Sequence, residues 1–502
     1  MEERYHMTQL PQDFMCRMQD MLREAYPAFL RSYEDEKAQA LRVNALKGTK
    51  EEFLAKADFG SLREVAWEKN GLYYTETSDC APGKHPFHEA GVYYIQEPSA
   101  MAPAVYLEAQ PGEHVLDLCA APGGKTTQIA SYMQNQGILV CNEIHAARAK
   151  ILSENVERMG IRNALVANET PRRLAEIFDG YFDRILVDAP CSGEGMFRKN
   201  EEARGEWSLA NVQLCADRQD EILDCADRML RPGGRLVYAT CTFAPAENEG
   251  SIARFLERHS EYRILEVKKY DGMSAGVPEW AYYEADGSGG GRAAGHETDG
   301  TARPCADRAE NSRTAFRHTV RLFPHLVQGE GHYLAVLQKH GENPAGYQSF
   351  PANGLQKGIN PKEAKEFLQF QQAFLQVDLL ENAQDRLLRF GEQLYLMPER
   401  MPSINKLKVL RAGLHLGALK KNRFEPSHAL ALALKKEDVR QFMELGTEEN
   451  ARAYLGGMTL NHDGERGWYL MTYQGYGIGW GKLAGQVMKN HYPKGLRICR
   501  KV

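Results

Sequence analysis

Two cysteines follow short apolar runs that read as strands. Cys191 closes the segment Asp183-Arg184-Ile185-Leu186-Val187-Asp188-Ala189-Pro190-Cys191-Ser192-Gly193, and Cys241 closes Leu236-Val237-Tyr238-Ala239-Thr240-Cys241-Thr242. A thiol in such a place ordinarily packs as a small hydrophobe. If it is partly exposed and its pKa is lowered, it is a nucleophile. One reaction needs such a nucleophile beside an acid. Carbon 5 of cytosine is a poor nucleophile, and a thiolate adding to carbon 6 makes carbon 5 enamine-like, able to take a methyl group from a sulfonium. The adduct must then lose its carbon 5 proton and expel the thiolate. Asp188 is placed to hold the ring through its amino group and ring nitrogen, favouring protonation during attack. The base must be unpaired or flipped out of its stack for this chemistry. The residues themselves leave open which cysteine attacks.

A third segment supplies a ligand site. Val115-Leu116-Asp117-Leu118-Cys119-Ala120-Ala121-Pro122-Gly123-Gly124-Lys125-Thr126 reads as a strand, a tight turn and a helix start. Doubly wound sheets bind ligands at that carboxyl edge. Glycines let a ligand approach the backbone, and a helix N-terminus offers free N–H groups. A P-loop requires glycine where Cys119 stands, and no Gly-x-Gly-x-x-Gly is present, so a nucleoside without phosphates fits better. Glu143 ends the next strand, where an acid is placed to accept hydrogen bonds from ribose hydroxyls.

These groups need a parallel sheet to bring them to one rim. Val115–Leu118, Gly137–Asn142, Ala164–Ala167, Arg184–Val187 and Arg235–Ala239 are apolar runs separated by helix-length segments. Strands alternating with helices imply a parallel sheet covered on both faces. Before it, an amphipathic helix over residues 9–30 and strands at Ala40–Leu46 and Glu64–Thr75 around a helix at Lys50–Ala57 predict a small α+β domain, 1–90. The α/β domain spans 91–340. It carries a low-complexity insert at 284–313, expected to be disordered, after which the sheet resumes at His318–Leu322 and His332–Gln338. Residues 341–403 read as a linker and an intermediate α/β segment, and 404–502 as a glycine-rich β module.

Composition excludes several classes. No run of about 18 apolar residues indicates a membrane span, and the N-terminus lacks a signal-peptide pattern, so a cytoplasmic protein is expected. The ten cysteines form no Cys-x-x-Cys pair, which argues against a zinc ribbon and for no metal. Net charge is −5, but it is unevenly spread. Residues 351–502 carry 23 Lys and Arg against 15 Asp and Glu, a net +8 that leaves residues 1–350 at −13. Lys406, Lys408, Arg411, Lys420, Lys421 and Arg423 crowd a stretch with no acid. That pattern is either a solvated basic surface or a contact for a polyanion.

At Cys119–Lys125, Glu143, Asp188–Gly193 and Thr240–Thr242 the sequence resembles the Nol/Nop/Sun family of RNA cytosine-5 methyltransferases. Arg42-Val43-Asn44 and Tyr94-Ile95-Gln96-Glu97-Pro98-Ser99 are similar to that family too, and the likeness covers roughly residues 35–260. The resemblance implies a Rossmann-like class I methyltransferase domain that uses S-adenosyl-L-methionine. It implies Cys241 as nucleophile and Cys191 as the aid to product release. It places Cys119, Ala120, Ala121, Pro122, Gly123, Gly124, Lys125, Glu143 and Asp188 around the cofactor, with Asn168 against the adenine. Arg321-Leu322-Phe323-Pro324-His325, Gly329-Glu330-Gly331-His332 and the C-terminal Gly479-Trp480-Gly481-Lys482 are similar to the bacterial RsmF-type branch, whose last domain is a PUA-like RNA-binding module. The implied substrate is small-subunit (16S) ribosomal RNA, free or in the subunit, met by a monomer. The alternatives are a catalytically inactive ribosome assembly factor on the same fold and a nucleotide hydrolase, the latter opposed by Cys119.

Overall fold

The computed structural model describes residues 10–77, 81–285, 291–293, 314–341 and 351–497. The N-terminal amphipathic stretch forms two helices, α1 (Gln12–Leu22) and α2 (Tyr26–Arg31), where one helix over 9–30 was expected. Arg23 between them has a φ of 49°, and Pro27 sits in the first turn of α2. Proline lacks the N–H that a helix interior needs but costs nothing at a helix start. Both helices pack Phe14, Met18 and Phe29 against Phe197, Trp207 and Phe243. Phe197 and Phe243 lie just beyond the two cysteines of interest, so this cluster braces their loops.

The small domain is an antiparallel sheet of β1 (Ala40–Val43), β2 (Arg63–Val65), β3 (Glu68–Tyr73) and β4 (Tyr93–Ile95), ordered β2-β3-β1-β4. Helix α3 (Lys50–Lys56) starts on a capping box of Thr49 and Glu52. The first strand ends at Val43 and not Leu46, because the Asn44 amide donates to the carbonyls of Gly91 and Met159 and its oxygen accepts from Leu46 N–H. A short helix, α4 (Pro86–Glu89), precedes β4.

The central sheet carries the expected parallel strands: β5 (His114–Asp117), β6 (Ile138–Asn142), β7 (Ala164–Ala167), β8 (Phe182–Asp188) and β9 (Leu230–Thr240). Between them run α5 (Ala102–Leu107, before β5), α6 (Gly124–Met133), α7 (Ala146–Arg158), α8 (Pro171–Ile177), α9 (Glu201–Glu206) and α10 (Leu209–Met229), and α11 (Glu249–Arg258) follows β9. Successive strand residues point to opposite faces. Leu116, Ile185 and Leu236 therefore join one core and Val115, Leu186 and Val237 the other. Burial on both faces is why these strands read as continuous apolar runs. Each such side chain contributes about 1.5–3 kcal/mol on burial.

Past β9 the sheet continues with antiparallel strands. β10 (Tyr262–Ile264) pairs with β15, and β11 (Met273–Ala275) pairs with β14. β12 (Tyr283–Ala285) and β13 (Gly291–Ala293) form a separate pair. β14 (Val320–Leu322) and β15 (His332–Lys339) resume the sheet, and β15 lies on β9. The rest of the expected insert, 286–290 and 294–313, lies outside the described residues. The order is β11-β14-β15-β9-β8-β5-β6-β7-β18.

The last of these, β18 (Val409–Ala412), comes from the C-terminal part and pairs antiparallel with β7. Residues 404–502 are thus not one sheet, as a single β module would require. Helix α12 (Lys365–Phe374) precedes β16 (Leu387–Phe390) and β17 (Gln393–Leu396), which form a four-stranded sheet with β19 (Leu414–Lys420) and β20 (Arg423–Pro426). After α13 (His428–Ala433), a five-stranded sheet holds β21 (Phe442–Glu444), β22 (Leu460–Asn461), β23 (Gly467–Tyr473), β24 (Tyr476–Ala484) and β25 (Val487–Asn490), with α14 (Glu448–Leu455) beside it. Its Tyr454, Tyr473 and Ile478 share a core with Phe53, Phe87 and Tyr93 of the N-terminal domain. The N-terminal domain and the five-stranded C-terminal sheet are packed together. Among the described residues, no helix is long and apolar enough to cross a membrane.

Candidate active site

The sheet order places the loops after β5, β8 and β9 side by side at the carboxyl edge. The turn after β5 has a cis Ala121–Pro122 peptide, and Gly123 has a φ of 116°. A Cβ at Gly123 would stand 3.2 Å from the end of the Leu152 side chain, a tight contact, and the positive φ is what calls for glycine here. The turn is fixed from outside. Ala120 N–H donates to Asn142 O at 2.8 Å, Arg148 to Ala121 O at 2.8 Å, and Asn155 to Pro122 O at 2.8 Å. From below, buried Arg42 of the small domain donates to Gly124 O at 3.0 Å and Thr127 Oγ1 at 2.7 Å, and also holds Gln96.

Lys125 Nζ lies 2.8 Å from Asp188 Oδ2. Burial works against the Lys125 charge, but Asp188 and then Cys241 hold its pKa above the ordinary value. Cys191 Sγ and Cys241 Sγ are 3.4 Å apart. The hydrogen bond to Cys241, then burial, pushes the Cys191 thiol well up. Both cysteines are half-buried residues. At Cys119 burial first, then Asp117, Asp188 and Glu143, pushes the thiol far up, so it stays neutral.

Two buried acids hold the cysteine loops, and neither stood out in the sequence. Glu247 accepts from Ser192 N–H at 2.9 Å, Ser192 Oγ, and Gln219 at 2.9 Å. Burial, then Glu194, pushes its carboxyl up to about 7 against those bonds. Glu194 accepts from Arg17 at 2.5 Å, Trp207 Nε1 at 2.9 Å and Phe243 N–H at 3.0 Å. Gly195 N–H donates to Cys241 O at 2.8 Å, and a Cβ there would meet that oxygen at 2.9 Å. Both acids sit in segments without periodicity, and their partners come from distant parts of the chain, so nothing local announced them.

Glu143 is buried beyond β6, accepting from His145 N–H at 2.9 Å with Arg148 at 3.4 Å. Asn168 follows β7, and its amide donates to Glu143 O at 2.7 Å and Ile144 O at 2.9 Å. Both amide hydrogens are used to hold the neighbouring loop. Asp117, not singled out before, accepts from Thr126 Oγ1 at 2.6 Å with one oxygen, while its Oδ1 is buried without a hydrogen-bond partner. Burial pushes its carboxyl up to about 7.

The basic stretch is not one surface. Arg411 is buried and bound to Glu157 and Ser153 on α7, so it ties β18 to the central domain and is not available to a partner in solution. Lys420 pairs with Glu392, and Arg423 with Glu425 at 2.9 Å. Lys406, Lys408 and Lys421 are exposed.

Comparison with known proteins follows the same divisions. Residues 104–338 match the family model for 16S rRNA methyltransferase RsmB/F. Residues 10–98 match the N-terminal domain of 16S rRNA methyltransferase RsmF, 369–434 its first C-terminal domain, and 440–498 its PUA domain. The chain is 31% identical over 480 residues to ribosomal RNA small subunit methyltransferase F of Vibrio parahaemolyticus, covering 91% of each. It is 31% identical over 507 residues to the protein of that name from Cronobacter sakazakii, covering 97% of this chain and 96% of the relative. Among solved structures, a methyltransferase homolog from Pyrococcus horikoshii superposes with a TM-score of 0.54 at 26% identity, over 66% of this chain and 96% of that one. NSun6 from Pyrococcus horikoshii shares the fold, with a TM-score of 0.52 at 19% identity, over 66% of this chain and 99% of that one.

Proposed function

From its place in the 16S rRNA methyltransferase RsmB/F family, to which this chain belongs as an RsmF-type member, we propose that it methylates carbon 5 of a cytosine in small-subunit ribosomal RNA through a covalent Cys241 adduct. The fold is that of a class I methyltransferase with an N-terminal domain and a C-terminal PUA domain. S-adenosyl-L-methionine, when bound, supplies an electrophilic methyl group on a sulfonium. The residues present fit it: Asp117, Glu143 and Asp188 cluster at the loop, and the buried Asp117 Oδ1 lacks a donor. Cys119–Lys125 would hold it, with Glu143 on the ribose and Asn168 beside the adenine.

The observation that carries the reading is the 3.4 Å contact of the two sulfurs on the rim that holds Lys125 and Asp188. Lys125 is a positive charge near Cys241. The Cys241 thiolate adds to carbon 6, and Asp188 holds the ring nitrogen and amino group as charge builds. Carbon 5 becomes the nucleophilic carbon of the ring. Cys191 keeps its proton and donates a hydrogen bond to the departing Cys241 sulfur. The PUA domain and the exposed Lys406, Lys408 and Lys421 hold the RNA.

The test is the adduct itself. Cys241→Ala is expected to abolish methylation while cofactor still binds, and persistent activity in that variant overturns the nucleophile. Cys191→Ala is expected to accumulate a protein–RNA band on denaturing gels, and its absence removes the release role.

A further inference from the structure

His332 opens β15, the strand beside β9, and takes no part in the mechanism above. The last register pair of these strands is Tyr333 with Thr240. One step further brings His332 level with Cys241. Leu334 and Ala239 share one core and Tyr333 and Tyr238 the other, so alternation puts His332 and Cys241 on the same face. The order β15-β9-β8-β5 sets the Cys119–Lys125 loop on one side of Cys241 and His332 on the other.

The hydrogen bonds around His332 fix its tautomer. Ser99 Oγ donates to Glu97 Oε2 at 2.5 Å. Having spent its one proton, Ser99 Oγ can only accept from its other neighbours, Gly331 N–H at 3.2 Å and His332 Nδ1 at 3.0 Å. His332 Nδ1 therefore carries the hydrogen, and Nε2 presents a bare lone pair. Glu97 is anchored by Ser99 N–H at 3.0 Å, Ala100 N–H at 2.8 Å and Glu330 N–H at 2.8 Å. Burial, then Lys125, holds His332 down to about 4, against Glu97 and Asp188, so the ring is neutral at physiological pH. A carboxylate behind Ser99 stabilises an imidazolium when one forms, as the acid does in a Ser-His-Asp triad.

The carbon 5 proton needs an acceptor, and Asp188 is ion-paired with Lys125. Resting on the cytosine reading, we propose that His332 Nε2 is the base that takes the carbon 5 proton from the methylated adduct. The methyl group enters from the cofactor side, so the hydrogen on carbon 5 is left facing the Cys241 side, where His332 stands. The C5–H bond breaks and its proton passes to Nε2. Its electron pair forms the C5–C6 double bond, and the C6–S pair leaves with Cys241 as thiolate, hydrogen-bonded by Cys191. The imidazolium then gives its proton to water.

Single-turnover reactions with RNA tritiated at carbon 5 and a carbon-14 methyl donor test this. His332→Ala and His332→Gln are expected to form the adduct carrying the labelled methyl. Tritium and product should leave it about a hundredfold more slowly than in the wild type. Added imidazole should restore release in His332→Ala, which a merely structural role would not allow. Release at the wild-type rate from either variant overturns the proposal. So does loss of adduct in both variants with cofactor binding intact, which assigns His332 to attack. If Cys241→Ala still methylates, the cytosine-adduct reading itself falls. If Cys191→Ala traps adduct but the His332 variants release normally, only this inference falls.

Discussion

The rim that carries Cys191 and Cys241 and the basic C-terminal stretch hold their charges in opposite ways. On the rim, charged groups are buried and meet partners remote in sequence: Arg17 with Glu194 at 2.5 Å, Arg198 with Glu330 at 2.7 Å, Arg321 with Glu249. In 406–423 most charges are exposed or paired close by, as Arg423 is with Glu425. Buried pairs leave an uncompensated charge when broken, whereas exposed pairs exchange protein for water at little cost. The rim therefore holds its geometry through buried pairs, whereas the basic stretch leaves most of its charges to solvent.

The sharpest way to break this comparison is to cut one pair from each region. Glu194→Ala strands Arg17, Trp207 Nε1 and Phe243 N–H, and should cost about 3–5 kcal/mol in urea denaturation. Glu392→Ala removes the partner of Lys420 and should change stability by less than about 1 kcal/mol. Equal costs would erase the distinction.

Arg411 belongs by sequence to the second region and by contact to the first. Arg411→Ala should lower stability by about 2 kcal/mol through the unpaired Glu157, and leave the salt dependence of RNA binding unchanged. A lowered salt slope would return it to the RNA surface.

A smaller effect separates the regions by pH. The Glu247 carboxyl is pushed up from 4.5 to about 7 by burial. A raised acid binds its proton more tightly in the folded state, so its contribution to stability falls as pH rises from about 4.5 to 7. Thermal melts of Glu247→Gln should show less loss than wild type across that window, by on the order of 1 kcal/mol. An unchanged difference between pH 5 and 8 would place Glu247 outside the buried network.

The smallest effects belong to the exposed lysines. Lys406→Ala, Lys408→Ala and Lys421→Ala should leave melting unchanged, and each should reduce the salt slope of RNA affinity by roughly 1. Slopes that stay at the wild-type value would leave RNA binding to other surfaces.

By itself the sequence determined the parallel strands and the residues at their ends. Continuous apolar runs at Val115–Leu118 and Arg184–Val187 can be buried only on two faces, and Cys191, Asp188 and the Gly123 turn follow from their positions after those strands. Only the tertiary structure decided the supports. It set the sulfurs of Cys191 and Cys241 at 3.4 Å, placed Glu194 and Glu247 behind them, sent β18 to the central sheet with Arg411 buried, and paired Tyr333, next to His332, with Thr240, next to Cys241. Strand periodicity is local and leaves a mark on neighbouring residues. A buried ion pair between residues 177 apart, such as Arg17 and Glu194, leaves none.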